Sequence, residues 1–216
     1  MNEKIIILDT ETTNSIDDPF CYDVGFAVVD IVTGEIVENF SFVNADVFLN
    51  NDLMENAYFK DKIPAYWEDI KSGKRSLKKF YNIRKALHDT CKKHNISVIC
   101  AHNASFDYRS CNYTQRYISS SKYRFFFPYG VKIWDTLKMS KEIFSKDNAY
   151  LNFCWKNDFV TDNGTPRYTA EIIYRFLSGI VDFTESHTGL EDVMIEKEIF
   201  MHCVRKNPHI DGRLWA

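Results

Sequence analysis

Apolar positions along the chain follow two rhythms, one of strands and one of helices. Ile5-Ile6-Ile7-Leu8 is a continuous apolar run, mostly β-branched, which predicts a strand buried on both faces in the middle of a sheet covered by helices. Val24-Gly25-Phe26-Ala27-Val28-Val29 and the stretch from Ile36 to Val43 are also β-rich, and the turn signal Thr33-Gly34 joins them. The chain should therefore start as an antiparallel group of three strands. From Ala45 to Ser76 the pattern weakens, although Pro64 opens a short helix through Trp67 and Ile70 that Gly73 closes. Phe80, Ile83, Leu87 and Cys91 recur at helical spacing and mark an amphipathic helix. It feeds a short buried strand, Val98-Ile99-Cys100-Ala101. A helix from about Phe106, an aromatic stretch from Tyr123 to Tyr129, a strand from Val131 to Trp134 and a mostly helical remainder to Asn207 restore strand–helix alternation. The expectation is an α/β domain.

A chain of 216 residues that is 45% hydrophobic can bury one substantial core, so a single domain over residues 1–216 is expected, with no repeat or linker to divide it. The net charge of −3 gives no global attraction for a polyanion, and contact with nucleic acid must come from a local surface. Six cysteines are scattered without paired spacing, the pattern of reduced thiols. With no apolar signal core after Met1 and no stretch long enough to span a bilayer, the expected location is cytoplasmic, without a membrane partner.

Three short motifs carry chemistry. Asp9 and Glu11 end the first apolar run two residues apart, so they project from one face of a strand. Two carboxylates held that close repel unless a cation sits between them, and at the rim of a central strand they look like half of a site for a hard divalent metal. A strand end with two solvated acids is the plain alternative. His102-Asn103-Ala104-Ser105-Phe106-Asp107 stands where a strand gives way to a helix, at the sheet edge where α/β proteins bind ligands. Asp107 there is either a third metal ligand or an acid that only complements the helix dipole. In Glu185-Ser186-His187-Thr188-Gly189-Leu190-Glu191-Asp192, Thr188 and Glu191 form a capping-box pattern that starts the last helix at about Gly189. Asp192 is then fixed in the first turn, and His187 lies outside it on a mobile approach. A rigid carboxylate beside a hinged imidazole suits a metal ligand and a general base.

In this order and with these separations, Asp9-x-Glu11, His102-Asn103-x-x-Phe106-Asp107 and His187-x-x-x-x-Asp192 resemble the DEDDh subgroup of the DnaQ-like, ribonuclease-H-like 3′→5′ exonuclease superfamily. The resemblance spans about residues 4–205. It implies a ribonuclease-H-like α/β fold with a mixed five-stranded sheet flanked by helices. It further implies an enzyme that removes nucleoside 5′-monophosphates from the 3′ end of single-stranded DNA or RNA, using two Mg²⁺ or Mn²⁺ ions. By the same resemblance, Asp9 bridges both ions, Glu11 and Asp192 complete the nucleophile-side site, and Asp107 serves the leaving-group side. His187 takes the proton from the attacking water, and Thr10, Thr12, Thr13, His102, Asn103 and Phe106 bind substrate. Two cations about 3.5–4 Å apart suit this chemistry, one activating water and one holding the leaving oxygen. A polymerase or another replication or repair protein is a partner compatible with the resemblance. The sequence departs from the family at Asn14, where members often have Gly, and at Gly189, where Ala is usual. The alternatives are a nuclease of very short oligonucleotides or dinucleotides, and a non-catalytic binding module on the same fold.

Other patterns compete for attention. His88-x-x-Cys91-x-x-His94 has the residue types of a zinc site, but its spacing drifts around a helix and Cys91 belongs to the apolar stripe. Lys71, Lys74, Arg75, Lys78, Lys79, Arg84 and Lys85, and separately Arg116, Lys122 and Arg124, either track a phosphate backbone or form solvated helix faces. Tyr22, Phe106, Tyr108 and Phe125-Phe126-Phe127 are candidates for base stacking or for the core.

Overall fold

The structure is a computed structural model that describes residues 3–13, 19–120 and 124–215. Asn14 and Lys122 therefore lie outside the described residues, as does Tyr123 at the start of the aromatic stretch. The described strands are β1 (Lys4–Thr12), β2 (Cys21–Asp30), β3 (Ile36–Asn44), β4 (Ser76–Lys78), β5 (Val98–Ala101) and β6 (Lys132–Asp135). They form one mixed sheet in the order β4-β3-β2-β1-β5-β6. β1, β2 and β3 pair antiparallel, as the turn at Thr33-Gly34 requires, whereas β1–β5, β5–β6 and β3–β4 are parallel. The mixed sheet with flanking helices is the fold class expected, with β4 as a sixth strand. Its three residues, Ser76-Leu77-Lys78, are too few to register as a period of two.

The helices are α1 (Ala45–Phe48), α2 (Asn51–Met54), α3 (Ile63–Ser72), α4 (Phe80–Lys93), α5 (Ala104–Ile118), α6 (Thr136–Phe144), α7 (Asn148–Lys156), α8 (Ala170–Ser178) and α9 (Gly189–Lys206). The apolar run in β1 is buried because both of its faces are covered. Ile5 and Ile7 join Val29, Trp134, Phe144, Ile173 and Phe200 on one side. Ile6 and Leu8 join Phe26, Phe80, Leu87 and Cys111 on the other. A third cluster, with Tyr22, Val43, Phe48, Met54 and Tyr66, gives the weakly patterned segment after β3 its own small core. In that segment Gly73 ends α3 in the left-handed region, at φ 80°. All six cysteines are free and buried, and no helix among the described residues is long and apolar enough to cross a membrane.

Because β1, β5 and β6 run parallel, their carboxyl ends share one edge. Asp9 and Glu11 end β1 there, α5 leaves β5 there, and Asp135 ends β6 there. The N-terminus of α9 packs onto the same edge from the face that carries Ile5 and Ile7.

Candidate active site

Two glycines set the close approach that builds the site. Gly25 of β2 lies opposite Asp9, and a Cβ on it would stand 2.2 Å from the backbone of Gly189 and Leu190. A Cβ on Gly189 would stand 2.7 Å from the Gly25 nitrogen. With both side chains absent, the first turn of α9 rests on the β2 backbone, and Gly189 N donates to Asp23 Oδ2 at 2.9 Å. Gly189, a departure from the usual Ala, is thus matched by Gly25. Since β-strand side chains alternate, Asp9 and Glu11 follow Ile5 and Ile7 toward α9. Glu11, His187 and Asp192 each place a ligand atom within 4.8 Å of the other two.

Asp192 and Asp107 are held from behind. Asp192 accepts from Thr188 N at 3.0 Å and from Ser186 Oγ at 3.3 Å. Helix α9 starts at Gly189 as its sequence indicates, but the capping box takes another form. Thr188 Oγ1 and Glu191 Oε2 bond to each other at 2.9 Å, and the Thr188 N–H goes to Asp192. Asp107, in the first turn of α5, accepts from Thr10 Oγ1 at 2.9 Å. Helix α5 starts at Ala104, two residues earlier than expected, after Asn103 at φ 66°. Asp135 fixes that turn by accepting from both Asn103 N and Leu137 N at 2.9 Å.

Burial pushes Asp9, Glu11, Asp107 and Asp192 up. Glu11 reaches about 9, through burial first and then the charges of Asp23 and Asp192. Asp107 reaches about 7 and Asp192 about 6, in both cases chiefly through burial. Asp9 is raised by burial and then by Glu196 and its other acidic neighbours. Asp9 Oδ2 is buried and has no hydrogen-bond partner, an arrangement costly for a carboxylate oxygen. A cluster of carboxylates with an orphaned oxygen fits a hard divalent cation.

His187 sits at φ 47°, and its ring stacks on Phe59 at 4.2 Å between centroids and 11° between planes. Lys62 lies 4.7 Å over the same Phe59 ring and donates to the Ser186 carbonyl. Partial burial, and then the Lys62 charge, hold the imidazole below its ordinary value. Neighbouring carboxylates are expected to raise it, but in the structure Glu171 pulls that way and is outweighed.

The other residues singled out from the sequence divide. Asn103 and Phe106 line the cavity of about 650 Å³ that opens over the acids, together with Thr10 and His102. Thr12 and Thr13 are buried and are not among its lining residues. His102 has both ring nitrogens engaged, Nδ1 with Thr136 Oγ1 at 3.0 Å and Nε2 with the Tyr168 carbonyl at 2.8 Å. Burial lowers its pKa, so the neutral ring donates from Nε2 and anchors Tyr168 at the cavity wall.

The zinc-like trio is taken apart. His88 Nε2 meets the Phe126 carbonyl, His94 Nε2 meets Glu38, and Cys91 is in the core. Arg75, one of the candidate phosphate contacts, is buried and pairs with Asp23 at 3.2 Å, Asp69 at 2.9 Å and Glu191 at 2.7 Å. Tyr22, Phe126 and Phe127 are core residues, whereas Phe125 is exposed.

Sequence reasoning missed Glu196, Phe59 and Lys62, and it placed Glu185 in the third motif without a role. Glu196 follows Asp192 by four residues on one helix, so helical periodicity could have found it. Glu185 stands two residues before His187 and is pushed up to about 8, by burial first and then by Asp192 and Glu171. Phe59 and Lys62 come from the weakly patterned segment, and only the tertiary fold brings them to His187.

No protein-family model matches the chain, and no curated protein sequence matches it. Solved structures do. The nuclease domain of 3'hExo, a DEDDh family member bound to rAMP, is 12% identical, with a TM-score of 0.61 over 97% of this chain and 96% of that one. A full-length 3′-exonuclease is 13% identical, with a TM-score of 0.61 over 100% of this chain and 88% of the other. Exonuclease I of E. coli in complex with single-stranded DNA is 12% identical, with a TM-score of 0.54, and this chain spans 42% of its length. At these identities the likeness shows a shared fold, the ribonuclease-H-like α/β fold of these exonucleases.

Proposed function

We propose that this protein is a metal-dependent exonuclease of the DEDDh subgroup that removes nucleotides one at a time from the 3′ end of single-stranded nucleic acid. The observation that carries the reading is the convergence of Glu11, His187 and Asp192 within 4.8 Å at the edge where Asp9 and the Thr10-anchored Asp107 also end. The structural neighbours named as 3′-exonucleases or complexed with single-stranded DNA support it.

Asp9, Glu11, Asp107 and Asp192 would hold two Mg²⁺ or Mn²⁺ ions. When bound, such ions offset the charge that builds up on a phosphodiester under attack. The protein residues do the rest. His187, neutral near pH 7 because burial and Lys62 hold its pKa down, takes the proton from the attacking water. Its ring can leave the Phe59 face by rotation of the segment before α9, while Asp192 stays tied to Thr188 and Ser186. Asn103, Phe106 and Tyr168 line the same cavity as His187, and they would receive the terminal sugar and base. His102 keeps Tyr168 in place.

Polarity is the part of this proposal that fails most visibly. A 5′-labelled single strand with an unmodified 3′ end should shorten stepwise with Mn²⁺ and release nucleoside 5′-monophosphates. A strand with 3′-terminal phosphorothioates should resist, and a circular strand should remain intact. Internal cuts in the circle, or equal consumption of the phosphorothioate strand, would overturn the reading.

A further inference from the structure

Glu196 lies one turn beyond Asp192 on α9, and it is 3% exposed. One of its oxygens has a structural task, since Oε1 accepts from His102 N at 3.1 Å and ties α9 to the turn between β5 and α5. The other oxygen, Oε2, is buried with no hydrogen-bond partner. Glu196 lines the same cavity as Asp9, Asp107 and Asp192, and among the described residues no lysine or arginine pairs with it. A purely structural glutamate in this place needs only one acceptor, and glutamine would supply it without a second buried, unpaired oxygen.

The companion fact is that Asp9 Oδ2 is orphaned in the same way. Two buried carboxylate oxygens, one from β1 and one from α9, thus lack donors on residues that line one cavity, and a single cation would satisfy both. The geometry points to Glu196 as a fifth carboxylate of the metal centre, whose Oε2 would help Asp9 to hold a cation at the rim of β1. This inference rests on the metal-dependent reading and adds a ligand to it. Glu196 would then have a double duty, because Oε1 fixes the turn that delivers Asp107 and Oε2 would be left for the ion.

The test is calorimetric titration of Mn²⁺ into the metal-free full chain, with Glu196→Gln beside the parent. Glutamine keeps the volume and an acceptor for His102 N but presents an amide in place of the charged oxygen. One of two Mn²⁺ ions should bind at least about tenfold more weakly in the variant, with the other unchanged and with the metal-free fold preserved by circular dichroism. If Glu196→Gln does not fold, Glu196→Asp keeps the charge, withdraws the oxygen and should show the same selective weakening. Unchanged affinity for both ions would overturn the inference and leave Glu196 as a buttress of His102. A parent chain that binds no Mn²⁺ would instead overturn the metal-dependent reading, so the two failures are distinguishable.

Discussion

His187 is the residue on which the proposed chemistry turns. Losing a positioned base typically lowers turnover by about 10²–10⁴-fold. His187→Ala should fall in that range in single-turnover hydrolysis while binding single strands nearly as well as the parent. Lys62 offers a finer test. Its charge lowers the pKa of His187, and it also lowers those of Glu11 and Asp192. The base works when neutral, above its pKa, so removing Lys62 raises all three values and moves the rising limb of the pH–rate profile to higher pH. Lys62→Met should show that displacement with little loss at the alkaline plateau, and a limb that stays or moves to lower pH contradicts the assignment. The four acids and His187 were legible in the sequence because each stands at the end of a regular element, where an apolar run or a cap fixes its place. Glu196 was missed because it lies inside α9, one turn beyond the cap signal that located Asp192. Phe59 and Lys62 were hidden because their partner His187 is more than a hundred residues away.

Among the elements, the contact of α9 with β2 determines whether the acids meet. A methyl group at Gly25 would run into backbone at 2.2 Å, which cannot rotate away as a side chain can. Gly25→Ala should destabilise the fold by about 3 kcal/mol, at the upper end of overpacking costs, and should also reduce metal affinity, because α9 must lift Asp192 away from Glu11. Denaturant unfolding and Mn²⁺ titration of the variant check both parts. The same contact is secured by charge. Asp23 has no exposed side-chain surface, and it takes bonds from Gly189 N, Tyr66 Oη at 2.5 Å and Arg75. Arg75→Met would strand that carboxylate without a cation and should cost about 3–5 kcal/mol in denaturant unfolding, whereas a mere surface contact to phosphate would leave stability unchanged. The strands and the amphipathic α4 were readable because their apolar periods are regular. In the segment from α1 to β4, α3 was readable from Pro64 and Gly73, but α1 and α2, of four residues each, carry too few positions to show a period, and the small core there is built with side chains from β2 and β3.

At the scale of the whole molecule, the acidic edge trades stability for the capacity to bind cations. The folded values of Glu11, Glu185, Asp107 and Asp192, about 9, 8, 7 and 6, lie above the roughly 4 of an unfolded carboxylate. The folded state therefore holds extra protons, and the stability they contribute is present below about pH 4 and lost as pH rises through those folded values. The metal-free protein should melt at a lower temperature at about pH 8.5 than at about pH 5.5, and saturating Mn²⁺ should recover most of the loss at the higher pH. Melting curves in chelator and in Mn²⁺ at the two pH values check this, and a metal-free midpoint that rises with pH contradicts it. Asp9→Asn removes one of the crowded charges and should raise the metal-free midpoint at the higher pH. The measurement that tests the central claim most directly uses the same variant, comparing parent and Asp9→Asn in single-turnover digestion of a 5′-labelled single strand at equal Mn²⁺. A stepwise ladder from the 3′ end is expected for the parent, none in chelator, and a loss of at least about a thousandfold for Asp9→Asn, a size typical of groups that act together on one reacting centre. A variant within about tenfold of a parent that cuts in Mn²⁺ and stops in chelator, or a parent that cuts equally well in chelator, would contradict it.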